Sequence, residues 1–189
     1  MCKVIYAMSV SLDGFIETGD GDLDWGMPDE ALHRHFNEQD RMTDVALYGR
    51  RLYETMAVFW PNVDDDSDYP EYILEYARIW KNLPKVVFSS TLKEVGWNSR
   101  LAKGDLATEV KQLKDQPGER ISVGGATLAA SLTALGLIDE YWLYVSPVVL
   151  GSGKPFFGAQ SGRINLKLIE SHTFGCGVVL LKYERVREG

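Results

Sequence analysis

Residues 3–10 open the chain with an almost unbroken apolar and β-branched run, the pattern of a buried strand. Residues 11–24 are rich in Gly and Asp and read as a long loop. Pro28-Asp29-Glu30 then marks a helix start, with Leu32, Phe36 and Met42 on its apolar stripe. A short strand at residues 45–48 stops at Gly49, and residues 51–56 begin a second helix. In residues 71–80, Ile73, Tyr76, Ala77 and Trp80 fall at i, i+3, i+4 and i+7, one face of a helix. Residues 85–89 form a strand and residues 105–114 a helix with Leu106, Val110 and Leu113 inward. A strand at residues 120–123 runs into Gly124-Gly125, and the helix at residues 127–135 is stopped by Gly136. From there strand follows strand: residues 140–149, interrupted by Pro147, then residues 165–173 and 178–185 as a hairpin around Gly175-Cys176-Gly177.

Strands and helices that alternate and then give way to strands predict an α/β fold. Its central sheet is mixed but mostly parallel, with helices on both faces and an antiparallel hairpin at the C-terminal end. At 189 residues one domain over the whole chain, 1–189, is the expectation. Hydrophobic residues at 45% and charged residues at 25% exclude a disordered chain and supply a core that needs no disulfide or zinc. The net charge of −7 speaks against nucleic acid or an anionic membrane as partner and leaves a small molecule. Cys2 and Cys176 make neither a disulfide framework nor a four-cysteine zinc site. No leader pattern precedes the first strand and no apolar run approaches a membrane span, so the expected location is the cytoplasm.

Several motif matches fail on their chemistry. Gly151-Ser152-Gly153-Lys154 lacks the Ser/Thr and the first glycine of a P-loop, with Pro155 and Val148 in those places. Asp20, Asp22 and Asp24 have calcium-loop spacing, but Trp25 and Ala31 replace the turn glycine and the closing glutamate. His33, His35 and His172 lack metal spacing, and no metal is expected. The acidic stretch Asp64, Asp65, Asp66 and Asp68 reads as a solvated loop.

Three turns survive, each after a strand. Gly124-Gly125 followed by Ala126-Thr127-Leu128 lets backbone N–H groups approach a pyrophosphate at a helix N-terminus, or simply makes a tight strand–helix turn. Gly49-Arg50-Arg51 offers two guanidinium groups to a phosphate, or a solvated surface pair. Ser89-Ser90-Thr91 presents three hydroxyls to a ligand, or caps its own turn. Ligands of open α/β sheets bind at the carboxyl ends of the strands, so the three together point to a phosphate-bearing ligand more strongly than any alone.

These residues carry a resemblance. The chain resembles the dihydrofolate reductase fold, and more closely the reductase domain of the bifunctional deaminase-reductase of riboflavin biosynthesis. Ser11-Leu12-Asp13-Gly14-Phe15-Ile16 is similar to that domain's first-loop motif, and Gly49-Arg50-Arg51-Leu52-Tyr53-Glu54 to its Gly-Arg motif. Val123-Gly124-Gly125-Ala126 resembles its NADPH-contacting turn, while Leu137-Ile138-Asp139-Glu140 through Pro147-Val148-Val149-Leu150-Gly151 resembles the riboflavin branch in particular. The pattern departs at Leu52, where threonine is usual, which removes one hydroxyl contact. No deaminase zinc signature occurs in the chain.

The resemblance implies NADPH as cofactor and hydride transfer of the 5-amino-6-(5-phosphoribosylamino)uracil reductase type to a small heterocyclic or ribosylamino substrate. It places the pyrophosphate on Gly125, Ala126, Thr127 and Leu128. Arg50, Arg51 and the turn of Ser89, Ser90 and Thr91 would hold the adenosine ribose and its 2′-phosphate, with Gly49 and Gly124 as further cofactor-binding residues. Asp13 and Gly14 would lie beside the nicotinamide, with Asp13 a catalytic candidate. A homodimer built on the later strands is a further implication.

On the substrate side, Trp25-Gly26-Met27-Pro28-Asp29-Glu30 resembles the segment of dihydrofolate reductases whose acid, here Glu30, holds and protonates the pterin. Read as residues alone, Asp29 and Glu30 are equally ordinary first-turn acids. Trp25, Phe59, Pro147, Leu150 and Gly151 complete the substrate-side candidates, although Phe59-Trp60 also fits a core. Dihydrofolate reduction through Glu30, and a nucleotide-binding module without catalysis, are the alternatives.

Overall fold

The computed structural model describes residues 2–63, 68–159 and 162–187. The strands are β1 (Lys3–Ser11), β2 (Phe15–Glu17), β3 (Val45–Gly49), β4 (Lys85–Phe88), β5 (Ser99–Leu101), β6 (Arg120–Gly124), β7 (Glu140–Ser146), β8 (Lys154–Pro155), β9 (Leu166–Thr173) and β10 (Val179–Arg185). The helices are α1 (Glu30–Arg41), α2 (Arg50–Phe59), α3 (Glu71–Asn82), α4 (Leu106–Lys114) and α5 (Ala126–Ala134), with 3-10 turns at Asp24–Gly26 and Trp60–Asn62. Eight strands form one sheet in the order β5-β4-β3-β6-β1-β7-β10-β9, while β2 and β8 pair separately. Pairing is parallel from β5 to β7, and only the β7–β10 and β10–β9 contacts are antiparallel. The expected mixed, mostly parallel sheet with an antiparallel C-terminal hairpin is therefore the architecture observed.

Alternation along the strands sorts the two faces. Val4, Tyr6, Leu47, Ile121, Val123 and Tyr141 pack with Val110, Leu113, Ala129 and Leu132 of α4 and α5. On the other face Ala46, Tyr48 and Val87 meet Tyr53, Tyr76 and Trp80 of α2 and α3, and Ile5, Trp142 and Tyr144 meet Leu32 of α1. Each strand residue that points to one layer is followed by one that points to the other, as a sheet covered on both sides requires.

Two of the helices, α1 and α4, begin at side-chain caps. Asp29 accepts a hydrogen bond from the Leu32 N–H and Asp105 one from the Thr108 N–H. Gly49 and Gly125 precede α2 and α5 and carry no side chain to cap them. At the other end of α3, the buried Lys85 Nζ donates to the carbonyls of Trp80 and Leu83, satisfying acceptors that the helix leaves open. The carboxyl group of Asp40 accepts from Tyr76 Oη at 2.7 Å; burial pushes it up to about 6, against the pull of that hydrogen bond and of Lys85.

Several boundaries differ from the sequence reading. The loop expected over residues 11–24 contains β2, whose partner is the two-residue β8. Met42 lies outside α1 as its C-cap and is exposed, because the helix ends at Arg41. Pro147 follows β7 rather than interrupting it, since a residue without an N–H cannot continue the ladder. β4 ends at Phe88, so Ser89 belongs to the turn. β5 is an edge strand of three residues without an apolar pattern, entered through Trp97 and Asn98 at positive φ. Of the acidic stretch, Asp64, Asp65 and Asp66 lie outside the described residues.

Candidate active site

The three surviving turns come together. Tyr48 lies opposite Gly124 in the β3–β6 register, and Gly49 opposite Phe88 in the β3–β4 register. The Gly49, Ser89 and Gly124-Gly125 turns thus leave three neighbouring parallel strands at one end of the sheet. The helices that follow then part: α2 packs on the face of Tyr48 and Trp80, whereas α5 packs on the opposite face with Tyr6 and Ile121. Two adjacent strands whose helices leave to opposite faces open a crevice between them, the place where α/β sheets bind ligands.

Gly124 and Gly125 shape one wall of this crevice. A Cβ on Gly124 would stand 2.5 Å from Leu52 Cδ2 and 2.8 Å from Tyr48 Cδ1, so only glycine fits there. Gly125 has a φ of +96°, in the left-handed region that favours glycine. It precedes α5 without a capping side chain, so the first N–H groups of that helix are left for another acceptor. Ala126 and Leu128 turn into the core while Thr127 faces out.

Arg50 and Arg51 form the facing wall. Arg50 pairs with Glu54 one turn along α2 at 3.1 Å, and Arg51 reaches Glu17 of β2 at 3.6 Å. Both stay open to solvent, the Arg51 side chain at 73%. Glu17 also receives Lys154 of β8 at 3.7 Å, so the small β2–β8 sheet is tethered to the start of α2. Nothing in the sequence marked Glu17. In the third turn Ser89 Oγ accepts from the N–H groups of Thr91 and Leu92, the turn-capping role, which leaves Ser90 and Thr91 at the surface.

The loop carrying Asp13 and Gly14 stands beside this crevice. β1 pairs with β6 as far as Tyr6–Val123 and with β7 as far as Ser11–Ser146, so β1 and β7 rise beyond the Gly124 turn. Asp13 accepts from Ser11 Oγ at 2.7 Å and from the N–H groups of Leu150 and Gly151 at 3.1 and 2.7 Å. The Ser11 hydroxyl and then those backbone donors hold its carboxyl below the usual carboxylate range. Through these bonds Asp13 fastens the first loop to the loop of Leu150 and Gly151. Gly14 O accepts from Phe156 N at 2.9 Å, a second tie between the same loops. Leu150 and Gly151 are thus next to Asp13, while Pro147 packs near Gly177 of the β9–β10 turn.

Glu30 and Phe59 lie apart from the three turns. The Glu30 side chain is 60% exposed and pairs with Arg34 at 2.9 Å, one turn along α1. The partly apolar pocket that a pterin-protonating acid requires does not surround it. Phe59 lies at the far end of α2 from Arg50, nine residues or about 13 Å along the helix, edge-on to Trp60 and Tyr69. Trp25 lies in the 3-10 turn beside β1, its Nε1 donating to Asp22 O at 3.3 Å. Among the described residues no cluster of His, Cys, Asp and Glu could hold a metal ion, and no helix is long and apolar enough to cross a membrane.

Residues 2–180 match the family model of the RibD C-terminal domain. The chain belongs to that family. The Bacillus subtilis (strain 168) protein YyaP, itself uncharacterised, is 36% identical over 182 residues, covering 96% of this chain and 94% of that one. Among solved structures, a Shewanella sp. PV-4 protein provisionally assigned to riboflavin biosynthesis superposes with a TM-score of 0.75 at 24% identity over 99% of this chain and all of that one. Dihydrofolate reductase from Enterococcus faecalis, complexed with NADP(H), gives 0.63 at 14% identity, covering 97% and 96%. The RibD C-terminal domain thus carries the dihydrofolate reductase-like fold here.

Proposed function

We propose that this chain is an NADPH-dependent reductase of the riboflavin-biosynthesis type, acting in the cytoplasm as one reductase domain on a small heterocyclic or ribosylamino substrate. The observation that carries the reading is the crevice between β3 and β6, with two arginines on one wall and a glycine-capped helix N-terminus on the other. These residues suit a dinucleotide phosphate. Gly125 and the uncapped N–H groups of α5 are donors for a pyrophosphate, and Gly124 lets Leu52 and Tyr48 pack close against that turn. Arg50 and Arg51 are fork-shaped cations near enough to solvent to exchange Glu54 and Glu17 for a 2′-phosphate. NADPH, when bound, supplies the hydride. The chain's own part is to hold and align: Asp13 fixes the first loop against Leu150 and Gly151, which brackets the substrate side of the crevice.

Tryptophan fluorescence titration with NADPH, and with NADH for comparison, tests this reading. Tight NADPH binding that weakens toward the NADH value in Arg51→Gln is expected. Equal and weak binding of both nucleotides would refute it. NADPH binding without turnover on dihydrofolate or on the riboflavin-pathway pyrimidine would make the chain a nucleotide-binding module instead.

A further inference from the structure

A second cationic site lies at the opposite end of the sheet. An open cleft of about 350 Å³ is bordered by Gly136 after α5, by Arg163 and Asn165 ahead of β9, and by Arg185 and Arg187 at the end of β10. The chain carries seven more acidic than basic residues, yet three guanidinium groups converge here.

The ion pairs around the cleft leave this charge largely uncompensated. Arg187 donates to Asp139 Oδ1 at 2.6 Å, but the same carboxylate also receives Lys114 Nζ at 2.5 Å and the Val4 N–H at 2.9 Å. One negative charge is thus divided between two cations. Among the described residues neither Arg163 nor Arg185 has a carboxylate within ion-pair distance. The Arg185 guanidinium lies over Gly136, whose φ is +70°, and a Cβ there would sit 3.5 Å from its Nη1. That Nη1 is buried without a hydrogen-bond partner. A charged donor taken out of water with no acceptor is costly, and it raises the positive potential of the cleft it borders. Two unpaired guanidinium groups on separate chain segments, with a third held beside them, make a donor set for a tetrahedral dianion.

The geometry points to a phosphate site in this cleft, separate from the dinucleotide crevice and taking either inorganic phosphate or the phosphate of a small monoester. It stands on residues that the reductase reading does not use, so the two fail independently.

Calorimetric titration with inorganic phosphate and with glycerol phosphate, in chloride buffer at low ionic strength, tests it. The proteins compared are the wild type, Arg163→Gln, Arg185→Gln, and an Arg50→Gln/Arg51→Gln double variant that disables the crevice. Binding is expected in the wild type and in the double variant, with affinity at least about tenfold weaker in Arg163→Gln, the loss of one charge-assisted contact. Arg163 is exposed on a loop, so its replacement leaves the fold intact even if Arg185→Gln loosens β10. Tighter binding of glycerol phosphate assigns a monoester, and tighter binding of inorganic phosphate assigns the free ion. Binding that vanishes in the double variant, or that is unchanged in Arg163→Gln, overturns the proposal, as does a wild-type Kd weaker than about 10 mM for both ligands.

Discussion

Replacing Gly124 by alanine probes the crevice at its tightest point. The new methyl would stand 2.5 Å from Leu52 Cδ2 and 2.8 and 2.9 Å from two ring carbons of Tyr48. Ordinary carbon contacts begin near 3.5 Å, so a displacement of roughly 1 Å is required. The Leu52 terminus can rotate away. Tyr48 cannot, because its ring is buried in the cluster with Tyr76 and Trp80. Overpacking of this kind costs about 1–3 kcal/mol. For a chain of this size that lowers Tm by roughly 2–12 °C. Chemical denaturation should show a lower midpoint with an unchanged slope. Leu52→Ala in the Gly124→Ala background should recover part of the loss, with a coupling energy of about 0.5–1 kcal/mol, the Tyr48 share remaining. Gly124→Ala within about 0.5 kcal/mol of the wild type would refute the argument, because the neighbours would then have yielded at almost no cost.

Three further outcomes follow from the same contacts. Glu30→Gln should leave NADPH-dependent turnover unchanged and cost no more than about 0.5 kcal/mol, the worth of an exposed i,i+4 pair; a large loss of kcat would restore Glu30 as an acid. Asp40 is raised from 3.8 to about 6, so the folded state holds its proton more tightly than the unfolded chain. Its contribution is therefore full below pH 3.8 and is lost as pH rises through 6, a fall of up to about 3 kcal/mol that Asp40→Asn should flatten in denaturation curves taken across that window. Leu52→Thr should tighten NADPH binding by about tenfold, one hydrogen bond's worth, while lowering Tm because apolar contact over Gly124 is given up; unchanged affinity would show that the hydroxyl reaches no ligand.

The strands around the centre of the sheet were legible because each is a short apolar run bounded by Gly, Pro or a cap, and burial on both faces demands that pattern. β2, β5 and β8 were not, since three- and two-residue elements leave no periodicity to read. The phosphate-compatible turns at Gly49 and Gly124 could be found because their residue types are set by local backbone chemistry. The role of Asp13 could not: its partners Leu150 and Gly151 lie 137 and 138 residues away, and only the fold brings them within reach. The same holds for Glu17, which meets Arg51 across two elements. Glu30 looked catalytic by its place beside Trp25 and Pro28, but its exposure and its pairing with Arg34 are properties of the folded surface that the local sequence does not show.

β1 sits between β6 and β7 in the middle of the sheet, although it precedes both by more than a hundred residues in the chain. Its partners begin with Arg120 opposite Lys3, a separation of 120 − 3 = 117 residues. At about 5–20 residues per second of synthesis, the emerging segment waits roughly 6–23 s for its first neighbour. Throughout that interval the nine residues KVIYAMSVS, with one charge at their start, present unpaired backbone and apolar side chains. The strand at the centre of the finished sheet therefore stays without its ladder partners until residues 120–124 and then 140–146 have been added, the condition under which an apolar strand is open to pairing with other chains.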